Sequence, residues 1–579
     1  MKYKNIVIWG IVFCCLFFSL QYKYLFHFYY IEQLQLFPFS WDYLLDTLSS
    51  PGGVAFYISG FLLQFYKLSC LGALITSCLF IAIGVLMQRV CKLIAPDISC
   101  YLLALLPVLT LLPLHLDMNY RLQGTVAYLF MLIFFLFYIR IRSPWKRIIS
   151  GFIFLVLLFW LAGPIVFLLG ISIVVWEILY RKYLWGWSLF LLLELVSIFY
   201  LSFYLAWQGE YRMILLPDYY YEPLLSTEKI YYAWIIFPIC LLVAWLLRGK
   251  KDLSGIKNFF IVNGQLVVFF IFWGWKIDTD RSFLQENMKQ DYYLRTEQWD
   301  KIISQYSAEK ANLQTLNVLN LALACRNKLG DELFLYPQLG KESLLPEWNS
   351  TLPSAIALSE INYHIGNIAF AQKFAFEGCL SSVNSNPRLL QRLVQTNLIF
   401  GAYPVAEKYI GILEQTLFYR KWAKGQRKYL YDDSCVEGDS SLGGKRKALI
   451  GNGQYAVSTF VPIILEQLAV NNPDNPIAFQ YLLAYHLLGK TLSKYNDLYG
   501  KYYRTKIWPS LSITHQEAII ALFQKEPSIW AKKGVSLKVE QCFGAFNQDM
   551  IDKRGYINFR DVMASSYGNT YWFYLMFKK

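Results

Sequence analysis

Between Ile6 and Trp275 the chain is a succession of long apolar runs separated by short polar breaks. Beyond Lys276 the apolar residues recur instead with helical spacing. A helix needs about 20 apolar residues to cross the hydrocarbon core of a bilayer. Runs at roughly 6–22, 69–88, 99–115, 123–139, 148–162, 164–180, 185–206, 230–247 and 256–275 predict about nine crossings. A further run at 53–66, GVAFYISGFLLQFY, is short for a crossing and predicts a re-entrant or surface-lying segment. The first run is followed by bulky Tyr22, Tyr24 and Phe26, not by a small-residue cleavage site, which predicts a retained anchor.

The breaks set the direction. If 53–66 dips in and returns, Lys2/Lys4, Arg89/Lys92, Arg140/Arg142/Lys146/Arg147, Arg181/Lys182 and Arg248/Lys250/Lys251 all fall on one side. The opposite breaks then carry Glu32, Asp42, Asp46, Asp117, Glu210, Asp218, Glu222 and Glu228. Basic loops stay in the cytoplasm. The expectation is a cytoplasmic N-terminus, a membrane domain over 1–276 and an exported domain over 277–579.

The second half reads as all-α. In GNIAFAQKFAFEG, Gly366 precedes Ala371 by five residues, and in GAYPVAEKYIGIL, Gly401 precedes Ala406 by five. The two glycines are 35 residues apart. A turn glycine followed by a small residue at a close helix crossing, repeated near 34 residues, resembles the tetratricopeptide pattern. The stretch around Trp299 and NNPDNPIAFQYLLAYHLLGK are weaker units. Helical-hairpin arrays hold proteins or peptides, and a generic helical bundle is the plainer alternative. The polar, Gly/Ser-rich stretch near 418–450 predicts an irregular loop within this domain.

Composition agrees with a membrane class: 56% hydrophobic, 18% aromatic and only 16% charged residues. The net charge of +14 sits in the breaks between apolar runs, so it reads as topology and excludes a nucleic-acid partner. The eleven cysteines form no CxxC pair and no Cys/His cluster, so no metal site is signalled, and spacing establishes no disulfide. There is no phosphate-binding GxxxxGK[ST] loop, no HExxH pair and no GxSxG elbow.

Five pieces in the first half, YYIEQLQLFPFSWDYLLD, SPGGVAFYISGFLLQFY, LITSCLFIAIGVLMQRVCK, LLPLHLDMNYRLQGTV and FWLAGPIVFLL, follow in an order that resembles the GT-C glycosyltransferases. Those membrane enzymes use polyprenyl-phosphate sugars. The resemblance implies an acidic residue in the first exported loop, a surface helix opened by prolines, and a second acidic residue at an exported hairpin tip. Glu32-Gln33 stands where that family usually has an Asp-Glu pair. EQLQLF, PGGVAFYISGFLLQF, NLALACRNKLGDELF and AEKYIGILEQTLFYRKWA are similar to an uncharacterised family of Bacteroidota membrane proteins, which implies a bacterial inner membrane; the exported domain expected from the basic breaks is then periplasmic.

Transfer from a lipid phosphate needs a carboxylate base and groups that stabilise the departing phosphate. Glu32 and Asp117 are the candidate catalytic acids. Arg121, four residues after Asp117, is a candidate phosphate contact, with His115 and Arg212 as further substrate-binding candidates. Glu194 lies mid-span in LLLELVSIFY, where a carboxylate usually faces a cavity or a partner. Asp42 and Asp46 suit the polar face of a surface helix, and PDYYYEP suits either the interfacial aromatic belt or a sugar groove. The expected function is a glycosyltransferase that moves a sugar from a lipid-linked donor to an exported acceptor, with a divalent cation left open as cofactor. A non-enzymatic scaffold whose helical array binds envelope proteins is the alternative, and a lipid or ion transporter resting on Glu194 is third.

Overall fold

The computed structural model describes residues 2–96, 99, 101–181, 185–204, 211–222, 225, 227–250, 256–279, 282–382, 385–449 and 460–578. Glu210, Lys182 and Lys251, three of the polar-break residues, lie outside them. Helices make up most of the described residues, with two isolated β-bridges and no strand among them. The chain forms two compact units, Met1–Arg281 and Ser282–Lys579.

The first unit contains α1 (Lys2–Lys23), α2 (Leu25–Glu32), α3 (Trp41–Leu48), α4 (Gly53–Leu63), α5 (Leu71–Ile94), α6 (Tyr101–His115), α7 (Leu122–Arg140), α8 (Pro144–Ala162), α9 (Ile165–Trp176), α10 (Trp185–Tyr204), α11 (Tyr211–Leu215), α12 (Lys229–Leu246) and α13 (Ile256–Thr279). Five helices are long and apolar enough to cross a membrane: Asn5–Lys23, Leu71–Ile94, Leu122–Arg140, Pro144–Ala162 and Lys229–Leu246. Shorter apolar helices run over Tyr101–His115, Ile165–Tyr180, Phe190–Tyr204 and Phe260–Gly274. Among these five, α7 is the most enclosed, with 72% of its apolar window buried against 28% for α1 and α8. At 11 residues and about 16 Å, α4 is too short for a bilayer, and it packs between α7, α8 and α3. On α3, Ser40 caps the first turn by accepting from the Tyr43 N–H at 3.2 Å, and Asp42 and Asp46 are exposed.

The second unit contains α14 (Ser282–Arg295), α15 (Trp299–Ser304), α16 (Leu313–Cys325), α17 (Leu329–Glu332), α18 (Leu352–Ile365), α19 (Ile368–Leu380), α20 (Pro387–Phe400), α21 (Tyr403–Glu414), α22 (Arg420–Gln426), α23 (Asp433–Gly438), α24 (Gly443–Lys447), α25 (Val461–Asn471), α26 (Pro476–Leu488), α27 (Leu492–Tyr502), α28 (Ile513–Leu522), α29 (Leu537–Asp552), α30 (Phe559–Tyr567) and α31 (Tyr571–Phe577). Each of α18 to α21 packs on the next, and the two hairpins share their turn chemistry. Gly366 ends α18 at φ +101° and Gly401 ends α20 at φ +72°, both in the left-handed region that favours glycine. One turn earlier, Asn362 and Asn397 donate through their side chains to the Leu358 and Leu393 carbonyls at 2.8 and 2.7 Å. Ala371 and Ala406 are fully buried where the second helix of each hairpin crosses the first.

The polar stretch near 418–450 carries α22, α23 and α24 over its described part. Asp432 caps α23 by accepting from the Cys435 N–H at 2.9 Å. Asp439 accepts from the Ser441 and Leu442 N–H groups at 2.8 and 2.9 Å, turning the chain into α24. Local side-chain capping thus builds short helices where a Gly/Ser-rich sequence predicts a loop. The described cysteines are free thiols.

Candidate functional site

Four segments of the first unit meet at one corner: the turn before α4, the α6–α7 turn, the α8–α9 turn and the Tyr-rich loop after α11. Two unusual glycines let them approach. Gly52 has φ +83° and Gly163 φ +79°. A Cβ built on Gly52 would lie 3.0 Å from the Tyr219 hydroxyl oxygen, so a side chain there is opposed by both backbone and space.

The last turn of α8 leaves carbonyls without helical donors. The Gly52 N–H donates to the Trp160 carbonyl at 2.9 Å, and the Tyr220 hydroxyl donates to the Ala162 carbonyl at 2.5 Å. Tyr220 also accepts from the Ile165 N–H at 3.2 Å, so one phenol closes the end of α8 and the start of α9. The Tyr219 hydroxyl donates to the Pro51 carbonyl at 3.1 Å, and Gln123 Nε2 donates to the Gly52 carbonyl at 3.2 Å. Backbone bonds from Arg121 N to Tyr220 O (2.9 Å) and from Glu222 N to Asn119 O (3.0 Å) pair the α6–α7 turn with the Tyr-rich loop around the Tyr120–Tyr221 bridge. The tyrosines of PDYYYEP are therefore struts between loops.

Asp117 and Arg121 stand at this junction. Asp117 Oδ1 accepts from the Asn119 N–H and Nδ2 at 3.1 and 3.2 Å, and Oδ2 accepts from the Tyr221 hydroxyl at 3.0 Å. The carboxylate stays half-buried. Arg121, the residue before α7, is also half-buried, and its guanidinium makes no hydrogen bond or ion pair among the described residues. Burial pushes its pKa down, opposed by the charge of Glu222 and by Tyr219. An arginine that is partly desolvated yet unpaired is an available oxyanion ligand.

His115 precedes Asp117 by two residues. Its Nε2 shares a 2.6 Å hydrogen bond with Thr125 Oγ1, and its ring meets the Phe80 ring edge-on at 4.8 Å. His27 Nε2 approaches the His115 carbonyl at 2.7 Å and ties α2 to the same corner. Glu32 ends α2 about one and a half turns beyond His27 and is 2% exposed. His27 and Gln123 stand at this corner with no motif to announce them, whereas Tyr219 and Tyr221 belong to PDYYYEP. Their roles come from pairings across tens of residues.

The other two candidates lie apart from this cluster. Arg212 is exposed on the five-residue α11, beside Tyr211 and within the field of Asp218. Glu194 is 6% exposed on α10, which packs on α8 and α9, and neither carboxylate oxygen has a hydrogen-bond partner. Beside the corner, Pro51, Phe159, Gly163, Pro164, Ser202 and Met213 help line a small, largely apolar recess with room for about one water. Among the described residues no three His, Cys, Asp or Glu side chains are grouped to hold a metal ion.

Residues 1–578 match the model of a family of unknown function, DUF6057. The chain belongs to this family. No curated protein and no solved structure matches it. The match runs through both compact units, so the apolar unit and the helical unit belong together in DUF6057.

Proposed function

We propose that this DUF6057 protein is a GT-C-like membrane glycosyltransferase. It moves a sugar from a polyprenyl-phosphate donor to an acceptor on the exported face of a bacterial inner membrane. The observation that carries the reading is the unpaired, half-buried Arg121 guanidinium at the corner where four loops, one of them also carrying Asp117, are bound together. Arg121 would hold the donor phosphate, and Asp117 or the buried Glu32 would take the acceptor proton. The four shorter apolar helices coincide with the remaining expected crossings, which supports nine spans, and the short α4 supports a re-entrant segment. The glycine-capped hairpins of the second unit support a tetratricopeptide-like array that holds the acceptor or a partner protein.

The test is transfer to an exported glycan or protein acceptor by Glu32→Gln and Asp117→Asn chains at unchanged protein level. Loss in either supports the reading, and full activity in both removes the mechanism. A second reading, an envelope scaffold, is favoured by one feature: both Asp117 oxygens already accept hydrogen bonds, Oδ1 within its own turn and Oδ2 from the Tyr-rich loop. For a scaffold, Asp117→Asn would lower stability and leave no transfer to lose.

A further inference from the structure

Once its ion pairs are assigned, the second unit has buried positive charge left over. On α20, Arg388 and Arg392 are one turn apart and share Glu360 of α18. Arg388 Nε donates to Glu360 Oε1 at 3.0 Å, and Arg392 Nη2 to Oε2 at 2.6 Å. Arg388 Nη1 reaches Asp291 of α14 at 2.7 Å, and Arg392 Nη1 donates to Gln395 at 2.9 Å. All four charged groups are at least nine-tenths buried. Two carboxylates balance two guanidiniums, yet Arg388 Nη2 and Arg392 Nε have no acceptor.

A third cation comes up against this pair. The Arg392 guanidinium carbon lies 3.5 Å from the centre of the Tyr363 ring, and Lys445 Nζ of α24 lies 4.6 Å from the same centre. Lys445 donates to the Ser441 carbonyl at 3.3 Å and has no ion pair among the described residues. Glu297 and Asp439 are the carboxylates whose charge it feels. Asp439 is committed to the Tyr429 hydroxyl at 2.5 Å and to two backbone N–H groups. Burial, and then the nearby Arg392, push the Lys445 pKa down. Arg295 adds a further positive field at Arg388. Two cations held to one aromatic ring, with buried donors unsatisfied, are costly unless a negative group joins them.

We propose that Arg392, Lys445, Tyr363 and Ser441 form an oxyanion-binding site. Its ligand is a carboxylate or phosphate group carried by the molecule that docks on this unit. The oxyanion accepts from Lys445 Nζ and the arginine edge, and it offsets the surplus charge. The Tyr363 and Ser441 hydroxyls share a 3.3 Å hydrogen bond, which leaves one of them as a neutral donor beside it. The site does not depend on sugar transfer by the first unit.

Calorimetric titration of the full chain in detergent tests it, with sodium phosphate and sodium acetate run separately against sodium chloride at matched ionic strength. The expected result is saturable heat with at least one oxyanion and none with chloride. Phosphate alone would mark a phosphate ligand, and acetate a carboxylate. Lys445→Met should weaken binding about tenfold or more while Lys445→Arg retains it, with folding of each followed by tryptophan fluorescence. The proposal is overturned if neither oxyanion gives saturable heat beyond chloride, or if Lys445→Met binds as the parent chain does.

Discussion

The Tyr221 hydroxyl donates to Asp117 Oδ2 at 3.0 Å and so fastens the Tyr-rich loop to the turn between α6 and α7. This contact joins segments about a hundred residues apart in sequence. It also orients a carboxylate in the turn that ends at the unpaired Arg121.

Replacing Tyr221 by Phe removes the donor and leaves Asp117 Oδ2 without it, at a cost of about 1–3 kcal/mol. Unfolding of the purified protein in detergent should show this loss. Adding Asp117→Asn to Tyr221→Phe should cost less than the sum of the single changes, because the two residues share one interaction.

The turn glycines of the second unit make a separate prediction. Gly401 stands at φ +72°, and a Cβ there would meet only Arg446 Nη2 at 3.4 Å, so the penalty of Gly401→Ala is mainly conformational. A loss of about 1–2 kcal/mol is expected. Gly411→Ala, mid-helix with open space around its Cβ position, should instead be neutral or slightly stabilising in the same thermal melt.

Glu360→Gln leaves Arg388 and Arg392 without a shared counter-charge and should cost about 3–5 kcal/mol. Burial alone would raise the Glu360 pKa, but Arg392 and Arg388 outweigh it and hold the carboxyl at about 2, below its ordinary 4.5. The folded state therefore binds fewer protons than the unfolded chain in that window. The stabilisation is present above about pH 4.5 and lost as pH falls toward 2. Acid unfolding followed by tryptophan fluorescence should show this component, and Glu360→Gln should lack it.

Glu517 has the opposite sign. Burial raises its carboxyl to about 7, although the Tyr571 N–H donates to it at 2.7 Å. The folded state here holds the proton longer than the unfolded chain, so its contribution to stability falls as pH rises from about 4.5 through 7. Glu517→Gln should flatten the stability profile across that window, as read from melting temperatures at a series of pH values.

The parts of this fold legible in the sequence are those with a local cause. Apolar run length locates the long helices, Gly163-Pro164 separates α8 from α9, and Gly366 and Gly401 mark turns that need positive φ. Short range also makes α4 stand out from its neighbours. The rest depends on partners distant in sequence. Arg147 reads as a solvated basic break, yet it is 3% exposed, with Nε 3.2 Å from Glu177 Oε1, and Tyr138 donates to the same oxygen at 2.9 Å. Tyr219, Tyr220 and Tyr221 have the composition of an interfacial belt, and only the neighbouring loops turn them into struts. Asp117 and Arg121 share a corner because they are close in sequence. Glu194 and Arg212 join no common cluster, because nothing local fixes where their helices pack.

The proposed orientation puts the basic breaks in the cytoplasm, with the Asp117–Arg121 corner and the second unit outside. Alkaline phosphatase and green fluorescent protein, each fused after Lys578 in a bacterial host, report it directly, since the first works only when exported and the second only when retained. The expected result is an active phosphatase fusion and a dark fluorescent one. A bright fluorescent fusion with an inactive phosphatase would contradict the orientation, and the proposed transfer on the exported face with it.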